Sequence, residues 1–106
     1  MDFVDLRGAS GTAYRFRRWP ASASHPPLAG NVVVVGDQGR TLLALSVLED
    51  LSRAPTILGE RADGLEIFTR LNLTRRIREA EHADLASEHP DALTNLNAVG
   101  ALIRTA

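Results

Sequence analysis

Alternation of apolar and polar side chains predicts strands in two parts of this chain. In residues 12–19, Tyr14 and Phe16 would face one side of a strand, and Arg15 and Arg17 would face the other. Residues 65–71 alternate in the same way. Three apolar residues of this second stretch also fit one face of a helix: Ile67, Phe68 and Leu71. We therefore expect half-buried strands here, with the helix as the alternative for residues 65–71.

Two apolar runs, residues 32–35 and 41–47, predict a β-hairpin. Between them lies the segment Gly-Asp-Gln-Gly at residues 36–39, whose residue types favour a turn. Both runs are apolar on both faces, which is typical of central strands with a layer packed on each side. We therefore expect an antiparallel pair in the middle of the sheet.

Residues 66–85 hold the densest charge in the chain, and residues 73–88 have the period of an amphipathic helix. On a helical wheel, one stripe holds the residues expected to lie together toward the core: Leu73, Ile77, Ala80 and Asp84. Asn72 or Thr74 can cap the helix start by accepting a backbone N–H bond, and His89-Pro90 ends the helix.

Other segments have weaker patterns. Residues 48–54 predict a short helix, and Pro55 either ends it or occupies the first position of another one. Residues 91–103 predict a last helix. Its apolar set comprises Leu93, Leu96, Val99, Leu102 and Ile103. Residues 21–30 predict a loop rich in Ser, Ala and Pro. The first 11 residues carry only a small apolar group, which comprises Phe3, Val4 and Leu6.

Together these elements predict the α/β (α+β) class, with a small antiparallel sheet of three to four strands flanked by helices. The helix at residues 73–88 would cross one face of the sheet, and the last helix would close the core. A chain of 106 residues is long enough for one domain and too short for two. We therefore expect one domain over residues 1–106.

Composition excludes several classes of function. The absence of Cys excludes disulfides, thiolate nucleophiles and Cys-ligated zinc. The formal net charge of -1 provides no overall field that attracts nucleic acid or an anionic membrane. The N-terminus lacks the basic start and apolar run of a signal peptide, and no apolar run approaches the ~18 residues of a membrane helix. We therefore expect a cytoplasmic protein without a membrane partner.

A row of carboxylates on the predicted helix is one candidate site. Glu81, Asp84 and Glu88 are three or four residues apart, so they are neighbours on the helix surface. Hard cations such as Mg²⁺ bind one or two carboxylates and complete their shell with water. The alternative is a solvated helix flank in which these acids pair with nearby arginines.

Arginine clusters form a second candidate site. Every basic residue of the chain is Arg, and one cluster lies on the first predicted strand while another lies near the start of the long helix. The residues expected to contact nucleic acid are Arg15, Arg17, Arg75 and Arg76. An Arg at a helix N-terminus opposes the helix dipole, which favours an anionic neighbour. The alternative is a surface on which these arginines pair with the 13 acids of the chain.

The order of these parts resembles the GIY-YIG domain over roughly residues 28–95. Gly30-Asn31-Val32 resembles the first tripeptide of that family, and Ala44-Leu45-Ser46 resembles the second. Residues 49–53 resemble the run that opens the Arg helix of the family, and residues 78–85 resemble the segment that carries the metal-binding Glu. Pro90 and Asn95 resemble the closing segment.

The resemblance implies a small antiparallel sheet with helices and a site that cuts a phosphodiester with two tyrosines, an Arg and a divalent metal. Val32 and Ala44 stand in this chain where the tyrosines would be, which implies a catalytically degenerate domain. The catalytic positions implied are Arg53, Glu81 and His82. Glu81 is the metal ligand implied, although the match places either Glu81 or His82 at that position.

Three functional hypotheses follow. The first is a degenerate GIY-YIG-like protein that acts by binding nucleic acid and needs no cofactor. The second is a small homodimeric interaction module without a ligand. The third is an active nuclease of the GIY-YIG type, which would need Mg²⁺.

Overall fold

A computed structural model describes residues 2–19, 25–36, 41–58, 65–94 and 96. Within this part of the chain there are five strands: β1 (Phe3–Arg7), β2 (Ala13–Arg18), β3 (Gly30–Gly36), β4 (Thr41–Leu48) and β5 (Glu66–Leu71). Two α-helices are described in full, α1 (Ala54–Leu58) and α2 (Arg75–Glu88), and a 3₁₀ turn, Leu51–Arg53, leads directly into α1. Leu96 is also helical. The predicted α+β class is confirmed.

The five strands form one antiparallel sheet in the order β1-β2-β5-β3-β4. The prediction of three to four strands is corrected by β1, which pairs with β2 from Phe3↔Arg17 to Arg7↔Ala13. Val4 and Leu6 of β1 pack against the core, while the alternate residues Phe3, Asp5 and Arg7 are exposed. Three apolar residues are too few to distinguish a strand from a loop. The strand β1 is held mainly by its pairing with β2, which the local sequence does not reveal.

The predicted hairpin is present, since β3 and β4 pair from Gly30↔Leu48 to Gly36↔Thr41. Residues 37–40 of its turn lie outside the described part of the chain. The strand β3 is central, as expected, but β4 lies at the end of the sheet. The open side of β4 is closed at one point by Leu93, whose N–H donates to the Leu43 carbonyl at 2.9 Å and whose carbonyl accepts from the Leu45 N–H at 2.8 Å.

Layers pack on both faces of the sheet. On one face, Leu85 of α2 packs in a cluster with Phe16, Val33 and Phe68. On the other face, the 3₁₀ turn and α1 contribute Leu51 and Ala54 to a second cluster. The strand residues of this second cluster belong to β3, β4 and β5: Val32, Val34, Leu43, Ala44, Leu48 and Ile67. The same face of β1 and β2 therefore carries no helix among the described residues.

The long helix has the predicted extent but not the predicted rotation. It ends at Glu88, and the following His89 N–H donates to the Leu85 carbonyl at 2.9 Å. Its buried residues are Arg78 and Leu85, whereas Leu73 and Ile77 of the predicted core stripe are 65% and 50% exposed. The prediction that Leu73 and Ile77 face the core is wrong, because polar contacts set the rotation of the helix about its axis. Asn31 donates from Nδ2 to the Arg78 carbonyl at 2.9 Å, and Asp84 binds the β1–β2 turn.

The remaining predictions differ in outcome. Pro55 lies in the first turn of α1 and does not end the preceding turn. Of the two predicted positions, the first residue of a new helix is therefore nearly correct, since α1 begins one residue earlier. Asp50 caps the 3₁₀ turn by accepting the Ser52 N–H at 3.0 Å. Thr74 occupies the N-cap position of α2 without a side-chain cap bond. Residues 91–94 are not helical, and residues 95 and 97–103 of the predicted last helix lie outside the described residues.

The described helices also bear on the membrane prediction. None of them combines the length and the apolar content that crossing a membrane would require.

Candidate functional site

The strands β2 and β5 separate soon after they pair. They are joined at Arg17↔Thr69 and Arg18↔Phe68 only. Continued in the same register, the ladder would reach Arg15 and Leu71, but these two residues are not paired. The guanidinium of Arg70 spans the gap, with Nη1 donating to the Arg15 carbonyl at 3.4 Å. The sheet therefore forks at this point, between its two halves.

An open groove of about 760 Å³ lies at this fork. Alternation along β2 and β5 places most of its floor on the face of the sheet opposite α2. Its lining residues, which define the fork groove, are Phe3, Arg15, Arg17, Arg18, His25, Pro26, Thr69, Arg70 and Leu71. Four of these residues are arginines, so the fork groove concentrates positive charge in a chain whose net charge is -1.

Carboxylates compensate three of these arginines, including Arg70, whose Nε binds Glu81 of α2 at 2.8 Å. Arg15 binds both carboxylate oxygens of Asp5, with Nε–Oδ1 at 2.8 Å and Nη2–Oδ2 at 3.0 Å. The hydrogen bond from Arg15 lowers the pKa of Asp5, and the same bond raises the pKa of Arg15. Arg18 approaches Glu66 at 3.4 Å.

The side chain of Arg17 differs from its neighbours. No carboxylate of the described residues lies within ion-pair distance of Arg17. Its guanidinium lies over the ring of Phe3, with 5.5 Å between the guanidinium carbon and the ring centroid. A contact of this kind is a cation–π interaction, which leaves the N–H groups at the edge of the guanidinium able to donate elsewhere. Arg17 is therefore a positive charge in the fork groove that is available to an anion.

One wall of the fork groove is formed by His25 and Pro26. The Nδ1 atom of His25 lies 2.8 Å from the Pro26 carbonyl oxygen, which can only accept. Nδ1 therefore carries the proton, and in the neutral ring Nε2 accepts from the Thr69 hydroxyl at 2.8 Å. The ring also stacks on Trp19, with centroids 4.6 Å apart. These contacts hold the wall beside Thr69, which is the partner of Arg17 in the sheet.

A second polar cluster lies under α2 and has a structural role. The Asp84 carboxylate accepts from the Ser10 N–H at 2.8 Å, the Ser10 hydroxyl at 2.6 Å and the Tyr14 hydroxyl at 2.7 Å. These bonds lower the pKa of Asp84, with Ser10 as the largest cause, and the bond to Asp84 raises the pKa of Tyr14. A side chain at Gly8 would collide with this carboxylate. Asp84 therefore fastens the β1–β2 turn to α2.

The sheet separates the residues of the predicted catalytic site. Glu81 and His82 lie on α2, where Glu81 Oε1 accepts from Arg70 Nε at 2.8 Å and burial lowers the pKa of His82. Arg53 lies in the 3₁₀ turn, which packs over the opposite face. The positions that match the family's tyrosines, Val32 and Ala44, are fully buried in that opposite cluster. The structure therefore does not bring Arg53 together with Glu81 and His82.

The metal prediction for Glu81 has no geometric support within the described residues. No group of three or more His, Cys, Asp or Glu side chains in this part of the chain is arranged to hold an ion. One carboxylate oxygen of Glu81, Oε1, is bound to Arg70 Nε at 2.8 Å. Glu88, the last member of the predicted carboxylate row, is exposed at the end of α2.

The four arginines predicted to bind nucleic acid do not form one surface. Arg15 and Arg17 line the fork groove, whereas Arg75 and Arg76 lie at the start of α2. Arg75 pairs with Glu79 one turn further along the helix at 3.1 Å. Sequence alternation would have placed Thr69 and Leu71 on one face of β5, but nothing local marks Phe3 or His25 as their neighbours.

Comparison of this chain with protein-family models, with curated proteins and with solved structures finds no match. The function of the protein is therefore inferred from the geometry of the fork groove.

Proposed function

We propose that this protein binds nucleic acid through the sugar–phosphate backbone at the fork groove. The observation that carries the proposal is the position of Arg17, which lies in a groove with three other arginines and has no carboxylate partner among the described residues. Phosphate oxygens are strong acceptors that match the planar donor edge of a guanidinium. A phosphate at Arg17 would gain this contact without displacing an internal ion pair.

Neighbouring groups favour the same ligand. Thr69, which is beside Arg17 in the sheet, donates its hydroxyl proton to His25 and so fixes the ring of His25 at the side of the groove. Phe3 and His25 add aromatic rings at the two sides of the fork groove, and bases stack on rings of this kind. Arg15 and Arg18 keep their carboxylate partners, so they contribute less than isolated charges would. The attraction is therefore local, and binding should be sensitive to salt.

Replacing Arg17 with glutamine is the direct test. The dissociation constant for a labelled oligonucleotide should rise about tenfold, because one charge-assisted phosphate contact is worth ~1.4 kcal/mol. The slope of log affinity against log salt should also fall by about 0.7, which corresponds to one phosphate contact on a single strand. Fluorescence anisotropy over a series of salt concentrations measures both quantities.

The matched control is Arg7→Gln. Arg7 is exposed on β1, donates to the Gly11 carbonyl at 2.7 Å and does not line the fork groove. This change alters the net charge of the chain equally, so it should leave affinity nearly unchanged. An equal loss in both variants would show that only overall charge matters, and a flat titration of the unaltered protein at low salt would refute the proposal.

A specific observation also favours the homodimer hypothesis. The outward face of α2 carries an exposed stripe of apolar and small side chains: Leu73, Ile77, Ala80, Ala83 and Ser87. The large apolar side chains belong to the start of the helix and the small ones to its middle and end. An antiparallel pair of α2 helices would place the large side chains of each copy against the small ones of the other. The stripe is therefore complementary to a second copy of itself.

This second candidate predicts a dimer at micromolar concentration. Ile77→Asp should convert it to a monomer, because the carboxylate would be buried without a partner. Light scattering measures the mass directly. The control is Leu28→Asp, which changes a leucine that is 39% exposed and lies away from α2. A monomeric unaltered protein would rule out this candidate and would leave the binding proposal untouched.

A further inference from the structure

The fork groove lies on a narrow part of the sheet that no described helix covers. This part comprises the faces of β1, β2 and β5 opposite α2, and these three strands are adjacent in the sheet. Two strand spacings separate β1 from β5, so this part is about 10 Å across. Phe3 lies toward one side, and the segment with His25 and Pro26 stands along the other. This width accommodates one extended nucleic-acid backbone lying along the strands.

Arg17, which would receive a phosphate, lies on the floor between these sides. It is the direct partner of Thr69 in the sheet, and Thr69 is only 5% exposed. A ligand that contacts Arg17 and the ring of His25 together must therefore enter the groove. In a duplex the two backbones flank grooves about 6 and 12 Å wide and the base edges face inward, so a duplex would rest on the sides of the groove.

Unpaired peptide groups at the fork add donors to the same floor. The odd-numbered residues of β5 direct their peptide groups toward β2, as shown by the Trp19 N–H, which donates to the Ile67 carbonyl at 2.7 Å. Leu71 has this orientation but has no partner on β2, because Arg15 does not pair with it. Backbone N–H groups are frequent phosphate donors in nucleic-acid complexes. The fork therefore offers the Leu71 N–H, opposite Arg15, as a donor that a continuous sheet would not have.

From this geometry we infer that the fork groove is a site for single-stranded nucleic acid, with one phosphate at Arg17 and an unpaired base against the ring of His25. The inference rests on the proposed function and specifies its ligand class. Single strands suit the site because their bases turn freely outward from the backbone and can stack on an aromatic side chain. Arg15 and Arg17 lie on the same face of β2, about 7 Å apart along the strand, so the floor is long enough for only a few nucleotides.

The experiment compares one oligonucleotide as a single strand and as a duplex with its complement, at the same salt concentration. The single strand should bind at least about tenfold more tightly. His25→Ala should weaken single-strand binding about fivefold, because the base loses its stacking surface, and should leave duplex binding unchanged. Arg17→Gln should weaken single-strand binding about tenfold and duplex binding less, because a duplex rests on the sides of the groove and Arg17 lies on its floor.

Thr69→Val is the second variant. It removes the hydroxyl that donates to His25 Nε2, with little change in shape. It should weaken single-strand binding because the ring on which the base stacks is no longer held in place. Thermal unfolding of each variant checks that the fold is retained. In a series of oligonucleotide lengths, the gain in affinity per added nucleotide should fall sharply after about three.

Equal affinity for the two forms would overturn the single-strand inference, while an effect of Arg17→Gln on both would leave the proposed function standing. An unchanged single-strand affinity in both His25→Ala and Thr69→Val would also overturn the inference. Absence of binding to either form would overturn the proposed function and the inference together.

Discussion

Leu85→Ala is expected to lower the free energy of unfolding by about 2–5 kcal/mol. Leu85 is 1% exposed and is the fully buried leucine through which α2 packs onto the sheet. It contacts the cluster that contains Phe16 and Phe68, two of the largest buried side chains. Truncation leaves a cavity between helix and strands that rigid strands cannot fill. Since domains of this size are stable by about 5–15 kcal/mol, the loss is a large fraction of the total.

The control for this prediction is Ile77→Ala on the same helix. Ile77 is 50% exposed, so its truncation should change the free energy of unfolding by no more than about 0.5 kcal/mol. Urea unfolding followed by circular dichroism, at concentrations where the chain is monomeric, measures both variants. A larger loss at Ile77 than at Leu85 would mean that α2 turns the stripe of Leu73 and Ile77 toward the core.

Gly30→Ala is expected to lower the free energy of unfolding by about 3 kcal/mol. Gly30 begins β3 and lies opposite Leu71 of β5. A Cβ atom here would collide with the carbonyl oxygen of Arg70 and would lie 2.8 Å from Leu51 Cδ1. The first obstacle is backbone in the middle of the sheet, so the added methyl group can be accommodated only if two paired strands move apart.

The matched control is Gly36→Ala at the other end of the same strand. A Cβ atom at Gly36 would meet the end of the Leu43 side chain, 2.8 Å away, which can rotate aside. We therefore expect a change of about 1 kcal/mol or less, because the loss of unfolded-state entropy offsets part of the strain. Equal effects at the two glycines in urea unfolding would show that the contact with the Arg70 carbonyl does not restrict β3.

Binding measurements on these stability variants would separate fold from function. Leu85 does not line the fork groove, whereas Gly30 pairs with Leu71, which does. A Leu85→Ala variant that remains folded at the assay temperature should therefore bind oligonucleotide like the unaltered protein. Loss of binding in Arg17→Gln without loss of stability would complete the separation.

The rotation of α2 shows why hydrophobic periodicity alone misassigned the helix. The wheel groups Leu73, Ile77 and Asp84 into one stripe, because neighbouring positions on a wheel are assigned to the same surface. In the structure Asp84 accepts three hydrogen bonds from Ser10 and Tyr14. Those partners are about 70 residues away in the chain, so no local pattern reveals them. Once Asp84 and the Arg78 carbonyl are held, Leu85 faces the core and Ile77 does not.

The candidate site shows the same limit. Arg15 and Arg17 were identifiable from β2 alone, because alternation places them on the face opposite Phe16. Arg75 and Arg76 lie away from Arg15 and Arg17 because the chain leaves β5 and enters α2 on the other face of the sheet. The sequence does not reveal the direction of this connection. The GIY-YIG resemblance requires Arg53 and Glu81 to lie in one site. In the structure they belong to layers on opposite faces of the sheet, so they do not meet.

By itself, the sequence determined the class of the fold, the β3–β4 hairpin, the strands β2 and β5 and the extent of α2. Each of these depends on side-chain alternation, turn residues or helix-ending prolines within a few positions of one another. Only the tertiary structure decided the strand order, the pairing of β1, the rotation of α2 and the fork between β2 and β5. These features depend on hydrogen bonds and packing between distant segments. The fork groove with Arg17 at its floor exists because two strands that could have paired further do not.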